Sequence, residues 1–130
     1  MTLALSTTLH TSFEDAVERT RKALADQGFG VLTEIDMKAT LKAKLSEDME
    51  DYLILGACNP SLAHRAVNVD RQIGLLLPCN VVVRQAEGKV LVHALDPALM
   101  ASIPNRPELQ GVADEAGVRV SKALDALSNR

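Results

Sequence analysis

Two cysteines, each followed by asparagine, are the residues of this chain best suited to chemistry: Cys58-Asn59-Pro60 and Pro78-Cys79-Asn80. A thiol can serve as nucleophile, redox centre or soft-metal ligand, in each case through its thiolate. Asn59 is a favoured helix N-cap and Pro60 suits the first helical position, so a helix is expected to start there and run to about Asn68. Cys58 would then stand just ahead of a helix N-terminus, where unpaired N–H groups carry partial positive charge and favour thiolate. The competing reading is packing, because cysteine also behaves as a small apolar residue. That reading is stronger for Cys79, which lies among aliphatics.

Joint action of the two thiols depends on strand direction. They are 21 residues apart, unlike the tight cysteine pairs of zinc ribbons. Parallel strands around the intervening helix would hold them roughly 15–20 Å apart. An antiparallel or bent arrangement could bring them together, and a disulfide needs Cα atoms within ~7 Å. The remaining polar candidates are Asn80, His64 on the helix after Cys58, and Asp96. Cys58, Asn59, Cys79, Asn80, Asp96 and His64 thus form the expected ligand-binding set, with Cys58 the candidate catalytic residue. Structural roles compete here too: Asn59 as a cap, Asn80 as a partner for backbone at the strand entrance, Asp96 as a turn residue before Pro97. No His/Cys/Asp/Glu cluster has metal-ligand spacing, so neither a metal nor a cofactor is expected. No Ser-His-Asp order, phosphate-cradling glycine loop or HExxH is present.

The whole chain bounds what such a site can do. Its 130 residues suffice for one domain, 1–130, with a core that needs no disulfide or structural metal. A net charge of −3 argues against nucleic-acid binding, which requires a basic face. No apolar run approaches the ~20 residues of a membrane helix, and the N-terminus lacks a secretion signal, so a reducing cytoplasm with free thiols is expected. Phe13, Phe29 and Tyr52 are the only aromatics, which leaves few faces for stacking bases, flavins or sugars.

The elements that must position the cysteines can be read in order. Leu3 to Leu9 reads as a strand. Thr11 with Glu14 has the spacing of a capping box and opens a helix with an apolar stripe at Phe13, Val17, Thr20 and Leu24. Gly28 ends it, and Phe29 to Ile35 reads as a second strand. Asp36 can cap a short helix in which Met37, Leu41 and Leu45 share a face, while Lys38, Lys42 and Lys44 form a solvated one. Tyr52 to Ala57 is a third strand. Pro78 implies an edge or a bend. Cys79 to Gln85 and Lys89 to Leu95 form a hairpin about Glu87-Gly88. Its register sets Val83 against Val92, Val81 against Ala94 and Cys79 against Asp96. One hairpin face is wholly apolar and should meet the helices. The other, with Val82, Leu91 and Leu95 beside Arg84 and His93, is greasy enough to need partial cover from another helix or a second chain. A final helix spans about Pro107 to Ser128, and Gly111 and Gly117 within it suggest close approach of another backbone. The whole reads as α+β: a mostly antiparallel sheet with helices on one face, in the order β-α-β-α-β-α-β-β-α.

In the stretches GACNPSLAHRA, LLLPCNVVV and HALDP the chain closely resembles the family catalogued as domain of unknown function 302, and the resemblance extends over almost its whole length. The resemblance implies a small α+β fold like the TATA-binding-protein repeat, often dimeric, with no established activity. Family members often carry an aromatic where this chain has His64. The DNA-binding association of that fold does not transfer to function, because the charge here is wrong for it.

Three functions follow as expectations. The first is a dimeric module that binds a small ligand around the two Cys-Asn motifs. The second is a thiol-based enzyme or redox factor using Cys58. The third is a structural or interaction protein whose motifs only fix turns and an interface.

Overall fold

The computed structural model describes residues 3–128. Five strands form one antiparallel sheet: β1 (Ala4–Leu9), β2 (Gly30–Asp36), β3 (Tyr52–Cys58), β4 (Cys79–Ala86) and β5 (Lys89–Leu95). Their order across the sheet is β1-β5-β4-β3-β2, so the first strand pairs with the last and β2 forms the opposite edge. The helices are α1 (Phe13–Asp26), α2 (Met37–Leu45), α3 (Pro60–Val69), a four-residue α4 (Leu99–Ser102) and α5 (Gln110–Ser128). This is the expected α+β class, and the element order is compatible with the TATA-binding-protein-like topology.

Alternation along the hairpin decides which face is the core. Val81, Val83, Val90, Val92 and Ala94 are buried, while Val82, Leu91 and His93 are only half-buried. The buried face meets α1 and α5 through Ala16, Ala23, Leu24, Val120, Ala123 and Leu127. A second cluster continues this layer past the sheet end, where Leu62 and Ala66 of α3 meet Met100 and Ala101 of α4 and Val112, Ala113 and Ala116 of α5. The β4–β5 register is the one written from the sequence, with Val83 opposite Val92 and Val81 opposite Ala94.

Several sequence expectations are corrected. The cap of α1 is Ser12, not Thr11: Ser12 is extended and its Oγ accepts from the Asp15 amide, while Thr11 Oγ1 donates to the Asp15 carboxylate. Both pairs have the right spacing, and backbone conformation selects the later one. Gly111 and Gly117 admit no close backbone, since a Cβ at either would meet nothing within 4 Å. Of the two expectations for Pro78, an edge or a bend, the bend is the one observed: Pro78 bends the chain into β4, which lies between β3 and β5, after a 310 turn (Arg71–Leu76) and a cis Leu77–Pro78 bond.

Gly56 fixes this region. A Cβ there would collide with Thr33 Oγ1 and lie 2.8 Å from Pro78 Cγ. Only a glycine in the middle of β3 lets the β2 side chain and the Pro78 ring close over the strand. On β2 the register slips between Val31 and Thr33, leaving Leu32 as a bulge. The bulge and α2 are the least buried part of the described fold, and α2 has no buried residue at all.

Candidate functional site

The strand direction that the sequence left open is antiparallel, and it gathers the cysteines. Ala57 on β3 lies opposite Cys79 on β4, so Cys58, next to Ala57, is a diagonal neighbour of Cys79. Both cysteines are free, and both residues border one cavity of about 20 Å³. Asn59, Leu62 and Ala63 of the α3 start border it, with Phe29 before β2, Met100 of α4, and Val112 and Ala116 of α5. Every side chain in that wall except Asn59 is hydrocarbon or sulfur.

The local folding is dictated by Asn59. Its Oδ1 accepts from the Leu62 amide at 3.2 Å, and Pro60 occupies the first turn, so α3 begins immediately after Cys58. The Asn59 amide group also packs beneath Gly28, whose φ of +84° suits glycine; a Cβ there would approach Asn59 Nδ2 to 2.9 Å. Arg119 on α5 closes the same corner by donating to the Gln27 carbonyl at 3.2 Å. Arg119 and Arg65 both reach Glu115, and the Arg65 hydrogen bond foremost holds that carboxyl below its ordinary value.

The two thiols differ in setting. Cys58 is half-buried, whereas Cys79 is 9% exposed. Burial first, and then the negative charge that Cys58 can carry, push the Cys79 thiol above its ordinary value of 9.0.

The other expected site residues do not line this cavity. Asn80 is exposed and pairs in register with Gly56, so it points to the outer sheet face. His64 is exposed on α3 and exchanges a 3.2 Å hydrogen bond with Asn68. Asp96 shapes the turn: its Oδ1 accepts from the Ala98 amide at 3.0 Å. Met100, conversely, carried no signal in the sequence, because it lies on a one-turn helix among prolines.

The outer face holds one polar arrangement. Arg84 Nε donates to His93 Nε2 at 3.1 Å, and His93 Nδ1 lies 2.7 Å from Ser6 Oγ. Arginine has only donors, so Nε2 must carry the lone pair and Nδ1 the proton: the ring is neutral. Burial, with the Arg84 charge second, lowers its pKa. A broader open depression at the β4–β5 turn is lined by Glu50, Arg84, Gln85 and Lys89, and holds neither cysteine. Among the described residues no three His, Cys, Asp or Glu side chains converge as a metal-binding group, and no helix is long and apolar enough to cross a membrane.

A five-stranded antiparallel sheet with helices on one face and a Cys-Asn pair at adjoining strand ends defines a small α+β class. The model of the family described as domain of unknown function DUF302 matches residues 5–127, and the chain belongs to that family. Among solved structures, it resembles the crystal structure of an uncharacterised conserved DUF302 protein from Bacillus stearothermophilus. The two share 28% identity with a TM-score of 0.91, over 98% of this chain and 99% of that one. None of the curated proteins compared with the chain matches it.

Proposed function

We propose that the chain is a dimeric, cytoplasmic binding module whose site is the cavity between Cys58-Asn59 and Cys79, and whose ligand is no larger than a few atoms. The supporting observation is that Cys58, Asn59 and Cys79 all border one cavity of about 20 Å³. Ordinary small-molecule pockets measure roughly 300–1,000 Å³, while a single water needs only ~10–15 Å³ of such space. An ion-sized guest fits; a metabolite does not. The test is native mass spectrometry of the reduced protein against a panel of small ions, with Cys58→Ser as control. Uptake by the wild type and not by the variant supports the reading, and absence of any adduct sinks it.

A second reading, a thiol redox factor, is favoured by the unequal exposure of the pair: Cys58 can be attacked while Cys79 waits behind it. The pH dependence of iodoacetamide alkylation tests it, and a Cys58 pKa near the unperturbed ~8.5 counts against it.

In this reading the second copy would cover the outer face. Leu32 is 67% and Ile35 46% exposed at the β2 edge, Leu45 on α2 is 65% exposed, and Ile35, Ile54 and Val82 form one apolar row by register. Such a patch on an edge strand invites cover. Sedimentation velocity should show a dimer for the wild type and a monomer for Leu32→Glu. A monomeric wild type at tens of micromolar overturns this part.

A further inference from the structure

We propose that Arg84 is the moving part of a pH-sensitive switch on the outer sheet face, held by His93 when that ring is neutral and released to Glu50 and Glu87 when it is protonated. The switch is separate from the cysteine cavity and needs no second copy. It is built on a row of side chains that crosses three strands: Ser6 on β1, His93 on β5 and Arg84 on β4.

Register places the three. Ser6 lies opposite His93, and His93 lies opposite Val82, so Arg84, two residues beyond Val82, reaches the ring diagonally. Both ring nitrogens are engaged, Nδ1 at 2.7 Å from Ser6 Oγ and Nε2 at 3.1 Å from Arg84 Nε. Arginine has only donors, so the second bond exists only while Nε2 keeps its lone pair. A proton on Nε2 sets two N–H donors and two positive charges against each other, and one side chain must leave. Ser6 still holds the ring through Nδ1, whereas Arg84 loses the bond that ties it to β5.

The alternative place for Arg84 already exists. Arg84, Glu50 and Glu87 line one open depression at the β4–β5 turn, together with Lys89. A carboxylate stays charged through the range in which an imidazole takes up its proton, so two acids can receive the arginine when the histidine rejects it.

The ring has few other charges to answer to. Beside it β1 presents Ala4, Ser6 and Thr8, and β5 presents Leu91 and Leu95, none of which titrates. Lys89 stands at the turn, and α1 packs on β5 through the buried face. On α2, which packs on β2 and β3, Lys38 pairs with Asp51 and Lys42 with Asp48. Burial first, and the Arg84 charge second, favour the neutral ring, so the switch point falls below the ordinary value of 6.5. Above that point the row Ser6, His93, Val82, Ile54 and Ile35 carries no charge; below it a cation stands in the row.

The experiment is nuclear magnetic resonance of the isotope-labelled chain from about pH 7.5 down to about pH 5. Imidazole nitrogen shifts should show the proton on Nδ1 at the upper end, with a His93 midpoint below 6.5. Overhauser contacts between the Arg84 side chain and the His93 ring should disappear with that midpoint, replaced by contacts with Glu50 or Glu87. Arg84→Gln removes the charge and should move the His93 midpoint up toward 6.5. Glu50→Gln combined with Glu87→Gln removes the receiving carboxylates and should move it further down. Backbone amide shifts check the fold of each variant. A ring protonated at Nε2 at the upper end overturns the proposal, as do midpoints unmoved in both variants. So does an Arg84 that keeps its His93 contacts through the titration, or one that leaves without reaching either glutamate.

Discussion

Replacing Gly56 by alanine tests how the strands are brought together at the cysteines. The added methyl would collide with Thr33 Oγ1 and sit 2.8 Å from Pro78 Cγ. Thr33 can rotate its hydroxyl away, since it lies on the exposed edge strand. Pro78 cannot, because its ring is part of the backbone that leads directly into Cys79. Ordinary contact begins near 3.4 Å, so the Pro78–Cys79 segment must retreat by ~0.6 Å or β3 must bend. Overpacking of this kind costs about 1–3 kcal/mol. For a chain of this length that corresponds to a fall in Tm of roughly 3–15 °C. Urea unfolding monitored by circular dichroism measures it directly. The companion variant Thr33→Ala separates the two contacts: the double variant should recover only the Thr33 share, leaving the Pro78 share in place. A Gly56→Ala protein within ~0.5 kcal/mol of wild type would show that β3 and β4 are not held as closely as described, and the argument for adjacent thiols would weaken with it.

Other outcomes follow from the same geometry. Gly117→Ala should stabilise the protein by about 0.5–1 kcal/mol in urea unfolding, because α5 gains helix propensity and the new Cβ meets nothing within 4 Å. Asn59→Ala should destabilise it by about 1 kcal/mol through loss of the α3 cap, while Asn59→Asp keeps an acceptor for the Leu62 amide and should hold most of the stability. Since burial raises the Cys79 pKa, the native state keeps that proton more tightly than the unfolded chain. Its contribution is complete below the ordinary value of 9.0 and lost as pH rises through the folded value. Urea midpoints should therefore fall above pH 9 more steeply for wild type than for Cys79→Ala, and identical pH profiles would contradict it.

Local signals in the sequence placed most elements, because several carry their own geometry. Glu87-Gly88 with flanking alternation specified the β4–β5 register residue by residue, and Asn59-Pro60 specified the start of α3. What local signals could not reveal was direction over distance. A strand, a helix and another strand most often form a parallel crossover, and residues 52–86 read equally well that way. Here the chain leaves α3, makes a 310 turn at Arg71–Leu76 and returns antiparallel, which is why the two cysteine residues adjoin instead of standing at opposite strand ends. Met100 was hidden for a related reason: four helical residues between prolines show no periodicity. Asn80 was misplaced by adjacency, since alternation turns it to the opposite face from both Cys79 and Val81.

The two unsatisfied features of the molecule lie on opposite sides of the sheet. The cavity bordered by Cys58 and Cys79 belongs to the helical layer, walled by α3, α4 and α5. The apolar row of Ile35, Ile54 and Val82 belongs to the outer face, and the β2 edge with α2 adjoins it. Backbone pairing passes directly between them, because Gly56 and Ala57 pair with both β2 and β4 and the next residue, Cys58, pairs with β2. A second copy over the outer face would cover Thr33 and Gly56 without reaching the cavity in the helical layer. It would, however, stiffen the strand whose last residue is Cys58. Association and ion binding should thus occupy separate surfaces yet be coupled weakly through β3, and reciprocally, since linkage requires that each change the other's free energy equally. If the proposed function holds, a module in which guest binding at one end of a central strand adjusts dimer affinity across the sheet would account for both the adjoining cysteines and the exposed edge.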